Sequence, residues 1–240
     1  MTTLTTSKIL SRLAHGELSV LKMATGGVIA AGDRPKVLIH LNDALTDIFT
    51  RFLLSKKEVI INSTVEATHY FIRYEYAASN EDSEQPNLYL DDSGCEGFDG
   101  RIVKILNVFD AFGRELFMNK AQEPLSVFTP QHDCLQITAN HQSEQFWVIF
   151  QALHPIVNYN PAPASPVVDT VINIPPSLER PLMLLTASKI FSGMTGQPNL
   201  TKAAMLNQEY ELAVAEMEFR DSGSTSENMS NGKLEKNGFV

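Results

Sequence analysis

Residues 172–193 read INIPPSLERPLMLLTASKIFSG, and no other stretch constrains the fold as tightly. Leu182, Met183, Leu184 and Leu185 cover a full helical turn with apolar side chains. The following turns add Ala187, Ile190 and Phe191, and Lys189 is the one charge among them. A helix that is apolar on more than one face has to be covered on more than one face. Two arrangements do that: the inside of a large core, or a position between one subunit and its neighbour. The spacing predicts a start near Ser177, with Pro181 in the first turn where its missing N–H is tolerated, and a stop at Gly193 and Gly196.

The remaining segments supply candidates for the cover. SKILSRLAHGELSVLKM carries Leu10, Leu13, Ala14, Leu18 and Leu21 at three- and four-residue steps and reads as one amphipathic helix with Ser7 as its cap. Gly16 within it costs roughly 1 kcal/mol relative to alanine. A second helix opens at Asp33, Arg34 and Pro35, and its stripe is Leu38, Leu41, Leu45, Ile48 or Phe49, and Phe52. From Glu58 the pattern changes. EVIINSTV, THYFIRYEYA, PLSVFTP, CLQIT and QFWVIFQAL read as strands, and RIVKILNVFDAFGRELFMN as a hairpin closed by Gly113. ASNEDSEQPN reads as an exposed acidic loop, Trp147 as a strand core residue, and NYNPAPASP as an extended connector. A last helix from about Thr201 places Ala203, Leu206, Tyr210, Ala213, Val214 and Met217 on one side, before a polar tail.

The expected fold is therefore α+β. An N-terminal helical hairpin (1–57) and a C-terminal one (171–220) join as a four-helix bundle. A β-rich domain with its connector (58–170) is inserted between them, and an extended tail (221–240) follows. Burying four apolar stripes together draws on about 25 cal/mol per Å².

Signs of chemistry are sparse. Composition is that of a globular chain, 43% hydrophobic and 20% charged, and the net charge of -9 speaks against a broad phosphate-binding surface. Two cysteines, Cys95 and Cys134, suit a reduced chain, and neither a leader peptide nor a membrane span is evident. No nucleotide-phosphate loop, zinc-protease helix or nucleophile elbow occurs, so no cofactor or metal is expected. His132, Asp133, Cys134 and His141 match no common metal spacing. His40, Asp43 and Asp47, one helical turn apart, form the one set that an enzyme reading would use, although on a helix such a row is ordinarily a solvated face.

The order of parts resembles the head-to-tail adaptor (connector) proteins of short-tailed phages. GELSVLKMATGGVI followed by RPKVLIHLNDALTDIFTRF is similar to that family's opening helix, loop and L-N-x-A/G-L helix. RIVKILNVFDAFGRELFMN resembles its I-x-K-I-L strand and D-x-x-G hairpin. The stretch from INIPPSLERPLMLLTASKIFSGMTG to AAMLNQEYELAVAEME resembles its final helical hairpin. The resemblance spans most of residues 8–220, and its motifs are not catalytic signatures. It implies a non-enzymatic virion protein at the neck between capsid and tail. Such a protein forms a ring of about twelve copies beneath the dodecameric portal and continues the DNA channel. Its partners would be the portal protein, copies of itself, tail-tube or nozzle proteins, and phage DNA passing without specific binding. On this reading Leu184, Ile190 and Phe191 face a neighbouring subunit or the portal, and Leu234 and Phe239 anchor the tail. A head-closure protein is the alternative within the same class.

Overall fold

The computed structural model describes residues 4–64, 67–95, 97–138, 145–157 and 169–236, with the stretch 220–236 described by its backbone. Among the described residues the chain is α+β, with four α-helices and seven strands: α1 (Thr6–His15), α2 (Arg34–Arg51), β1 (Lys56–Asn62), β2 (His69–Phe71), β3 (Leu90–Asp91), β4 (Ile102–Asp110), β5 (Phe128–Gln131), β6 (Cys134–Gln136), β7 (Gln145–Ala152), α3 (Pro176–Ser192) and α4 (Gln197–Lys236). Two compact units are formed, Met1–Ala44 with Val157–Val240 and Leu45–Ile156, so the boundary falls inside α2.

In the first unit α3 and α4 pack as an antiparallel hairpin. The turn between them uses Gly196 at φ +107°, a conformation that L side chains rarely adopt. α3 is buried around most of its circumference, from Leu178 through Leu182, Leu185 and Ala187 to Phe191. The polar groups on its covered faces find partners in the backbone. Thr186 Oγ1 donates to the Leu182 carbonyl at 2.7 Å, and Ser188 Oγ donates across to the Ala203 carbonyl of α4 at 2.9 Å. On α4 the side chains of Ala203, Leu206, Tyr210 and Val214 are buried, with Ala213 and Met217 partly so, as the three- and four-residue spacing predicts. The start of the chain is tied to the segment before α3. Thr6 N–H donates to Thr170 O and Ile172 N–H to Leu4 O, and Arg12 pairs with Glu179.

The expected four-helix bundle is not what forms, for two physical reasons. The first amphipathic stretch does not remain helical to Met23. It stops at His15, because Gly16 leaves the helical region (φ -98°, ψ -112°) and the chain turns, with Leu18 N–H bonding to Leu13 O. Gly27, at φ +75°, sits so close to the His15 ring that a Cβ there would lie 2.2 Å from Nε2. A ten-residue α1 spans only about 15 Å, too short for a bundle stave. The second reason is that α2 is divided between the units. Asn42 belongs to the first and clamps Val157, donating from Nδ2 to its carbonyl at 2.9 Å and accepting its N–H at 2.8 Å. Phe49 belongs to the second, where its carbonyl takes the Nε2–H of buried Gln151 at 2.6 Å.

Two further expectations at the C-terminal hairpin are corrected. Pro181 lies in the second turn of α3, behind Pro176 at the helix start. The carbonyl it leaves without an i→i−4 donor belongs to exposed Ser177, within reach of water. The tail is not extended up to Lys236, because α4 continues through it. No proline follows Pro198, and Gly223 and Gly232 each cost roughly 1 kcal/mol without blocking the helix. Residues 237–240 and most of the connector lie outside the described residues.

The second unit holds a four-stranded antiparallel sheet in the order β3-β1-β7-β4 and a three-stranded one in the order β2-β6-β5. In the first sheet β7 is central. Val148 faces Val59 on one side and Val108 on the other, and Phe146 faces Ile61. These alternate positions build the core, together with Tyr70 and Leu135 of the second sheet. The hairpin reading holds at its turn. Gly113 has φ +76°, and the Asp110 carboxylate accepts the N–H groups of Phe112 and Arg114 at 2.9 Å and Arg114 Nε–H at 2.8 Å. Its second arm is only a bridge, Phe109 to Glu115. The chain then turns away through Asn119 (φ 56°), whose N–H bonds to Val127 O.

His154, which reads from sequence as structural, is 5% exposed. Its ring stands edge-on to Phe49, with centroids 5.3 Å apart, and Nδ1–H donates to Pro155 O at 2.6 Å. Burial holds its pKa below the ordinary 6.5; the Pro155 carbonyl works against that, and Arg101 adds to it. The unfolded chain takes up the proton more readily, so this contribution to stability is complete above about pH 6.5 and is lost as pH falls toward the folded-state pKa. The urea midpoint is expected to drop between pH 7 and pH 5, with a smaller drop in His154→Gln. An equal drop in both would assign the effect elsewhere. Asp110, against the pull of burial, is held below its usual range by the Arg114 and Phe112 donors, so its contribution is lost only below about pH 4.

Candidate functional site

α4 has a second apolar face. Met205, Leu212 and Phe219 are 53%, 65% and 79% exposed, against full burial of Val214 on the inner side. They recur every seven residues, a step that drifts only about 20° around a straight helix and so draws a nearly axial seam about 21 Å long. Leu200, 49% exposed, is five residues before Met205 and so lies well around the helix from this seam. From Met205 to Phe219 the helix carries Glu209, Glu211, Glu216 and Glu218 and no lysine or arginine, a net -4. Arg180 of α3 stands 3.9 Å from Glu209.

The same unit exposes other apolar side chains. Val20, Val28 and Ile39 are 79%, 56% and 60% exposed. They fall within residues 18–40, which carry Lys22, Arg34 and Lys36 against Asp33, a net +2. Ile39 projects from α2 beside the buried Val37 and Leu38, and Lys36 pairs with Asp33 at 3.4 Å.

In the second unit, the outward face of the four-stranded sheet carries Trp147. Expected in the core, it is 44% exposed, because Phe146 and Val148 take the inward positions of β7 and strand alternation turns Trp147 out. It lies opposite Ile60 and Phe109. A pocket of about 300 Å³ opens there, lined by Glu58, Phe109, Ala111, Gly113, Trp147 and Ile149. A neighbouring one of about 420 Å³ shares Glu58 and Ile149 and adds Lys56, Lys57, Gly94 and Cys95.

The interface residues expected on α3 are internal. Leu184, Ile190 and Phe191 are 3%, 5% and 2% exposed within a single chain, so they present nothing to a neighbour. Leu234 falls where the backbone alone is described, and Phe239 lies outside the described residues. The seam on α4 was legible in principle. Positions 205, 212 and 219 stand out once the inner stripe is assigned, but the glutamates between them read first as an ordinary solvated face.

The acid–base set has weak geometry. His40 Nδ1 is 4.0 Å from Asp43 Oδ2, and Asp43 is exposed. Burial lowers the His40 pKa, Asp43 opposes the shift and Lys189 reinforces it. Asp47 is exposed and belongs to the other unit. No group of three or more His, Cys, Asp or Glu side chains among the described residues is placed to hold a metal ion. Asp133 is engaged by Arg73 Nε–H at 2.6 Å, Cys134 is buried, and His141 lies outside the described residues. Both cysteines are free, and burial pushes both thiols up, away from nucleophilic use. No helix is long and apolar enough to cross a membrane, among the described residues.

No protein-family model matches the chain, and no curated protein matches it.

Proposed function

We propose that the chain is a non-enzymatic virion protein, a head-to-tail adaptor of a short-tailed phage. Copies form a ring under the portal, about twelve as in the family it resembles, join capsid to tail and continue the DNA channel. The observation that supports this most directly is the length of α4. It runs for 40 residues, about 60 Å, against the 17 residues and roughly 26 Å of its hairpin partner α3. Its last buried side chain among those described is Val214, with more than twenty residues still to run. A helix that outlasts its own packing partner is a reach toward another molecule, as the family's carboxy-terminal segment reaches for the portal. The net charge of -9 suits a conduit wall that neutralises no phosphates.

Labelled particles test this. A small epitope inserted in the exposed loop around Glu81 and Asp82 is expected to mark only the vertex between capsid and tail. Label over the capsid faces, or particles without the chain, would rule the adaptor out. Label at the tail end of the neck would favour a head-closure role.

A further inference from the structure

We infer that the outward face of the four-stranded sheet binds a small quaternary ammonium compound, its cationic head held against Trp147 and Phe109 and countered by Glu58. The inference concerns the second unit alone and does not rest on the adaptor reading.

Strand pairing builds the site. Trp147 of β7 stands opposite Phe109 of β4 on one side and Ile60 of β1 on the other, and Glu58 stands opposite Ile149 two residues along. Diagonal neighbours on adjacent strands are within reach of aromatic and long side chains, and Glu58, Phe109, Trp147 and Ile149 all line the one pocket of about 300 Å³. The rest of its wall is Ala111 and Gly113. A Cβ at Gly113 would meet no atom within 4 Å, so the hairpin turn leaves the pocket open. Its volume is at the lower end of small-molecule sites.

The lining selects a cation. Glu58 is its one side-chain acceptor, and no hydrogen bond or ion pair engages that carboxylate among the described residues. Three other rings of this unit already carry a cation of the chain: Arg73 over Phe71 at 4.5 Å, Arg114 over Phe112 at 5.3 Å and Lys120 over Phe117 at 4.3 Å. Trp147 and Phe109 carry none among the described residues, and a carboxylate beside two such rings attracts positive charge. A primary ammonium would bring three N–H donors and a tightly held water shell to a single acceptor. A quaternary ammonium has no donor to satisfy, so aromatic walls suit it better. The adjoining pocket confines the charge to the Trp147 end. That pocket shares Glu58 and Ile149 but is bordered by Lys56 and Lys57, which repel a cation.

Trp147 is the single tryptophan of the chain, so its emission reports occupancy directly. Choline titrated into the full chain at constant ionic strength is expected to give a saturable change with a Kd of about 1 mM. Dimethylbutanol, its neutral carbon isostere, keeps the shape without the charge and should bind at least about tenfold more weakly. E58Q alters an exposed side chain. It should weaken choline about tenfold and keep the urea midpoint of wild type. W147L, which removes the reporter, is followed by calorimetry and should lose choline binding by at least about tenfold. Phosphatidylcholine vesicles offer the same head group on a surface. Co-sedimentation with them would assign the site to a lipid, and choline binding without it to a free solute. No saturable response below about 50 mM choline, equal binding of the alcohol, or wild-type binding by folded E58Q would overturn the inference.

Discussion

Phe191→Ala is expected to destabilise the isolated chain by about 3–5 kcal/mol, the cost of a cavity where an aromatic ring is fully enclosed. Phe191 is 2% exposed, and it sits in α3 among Leu182, Ala187 and Ile190, each 5% exposed or less. Its surroundings come from its own chain, so the penalty falls on the free protein, where urea unfolding reads it directly. If α3 were a subunit interface, the same substitution would leave the isolated chain unchanged or better behaved and would damage only the assembly. An unfolding midpoint within error of wild type would therefore restore α3 as an interface and displace α4 from that role. Met183, only partly buried on the same helix, should cost less on replacement by alanine.

Truncation after Arg220 is expected to have the opposite profile. Among the side chains described, the last buried one of α4 is Val214, upstream of the cut. The change in stability should stay near 0.5 kcal/mol, a shift of a few degrees at most. Attachment to the portal should fall by about a hundredfold, as happens when an interface loses its main anchoring element. Thermal melting followed by co-sedimentation with portal separates the two readouts. An unchanged melt with unchanged attachment would show that the reach of α4 has no part in anchoring. A collapsed melt would show that the overhang stabilises its own unit.

The parts of the fold legible in the sequence are those set by local periodicity. The stripe of α2 and the inner stripe of α4 were fixed by three- and four-residue spacing, and β1, β4 and β7 by β-branched and aromatic runs. Asp110 and Gly113 announced their turn because the turn needs a positive φ and a carboxylate to take its N–H groups. What escaped depended on partners distant in the chain. Gly16 reads as a mild cost inside a helix, and only the approach of His15 to Gly27 shows the chain turning away there. Periodicity tells which residues of 182–191 share a face, but not how many faces the chain covers itself, so full enclosure of α3 was one of two open answers. Trp147 shows the same gap. Alternation gives two faces, and the choice of which faces the core was made by Phe146 and Val148. The exposed seam on α4 was hidden by its own glutamates, which mark a wet surface as readily as a selective one.

Assembly of copies on a portal, as proposed, is read out by the native mass of the full chain with and without portal protein. At low micromolar concentration the chain alone should be a monomer or a loose mixture, and with portal present it should appear as a single closed complement of about twelve copies bound to it. A tight dimer, indifferent to portal, would rule out assembly of this kind.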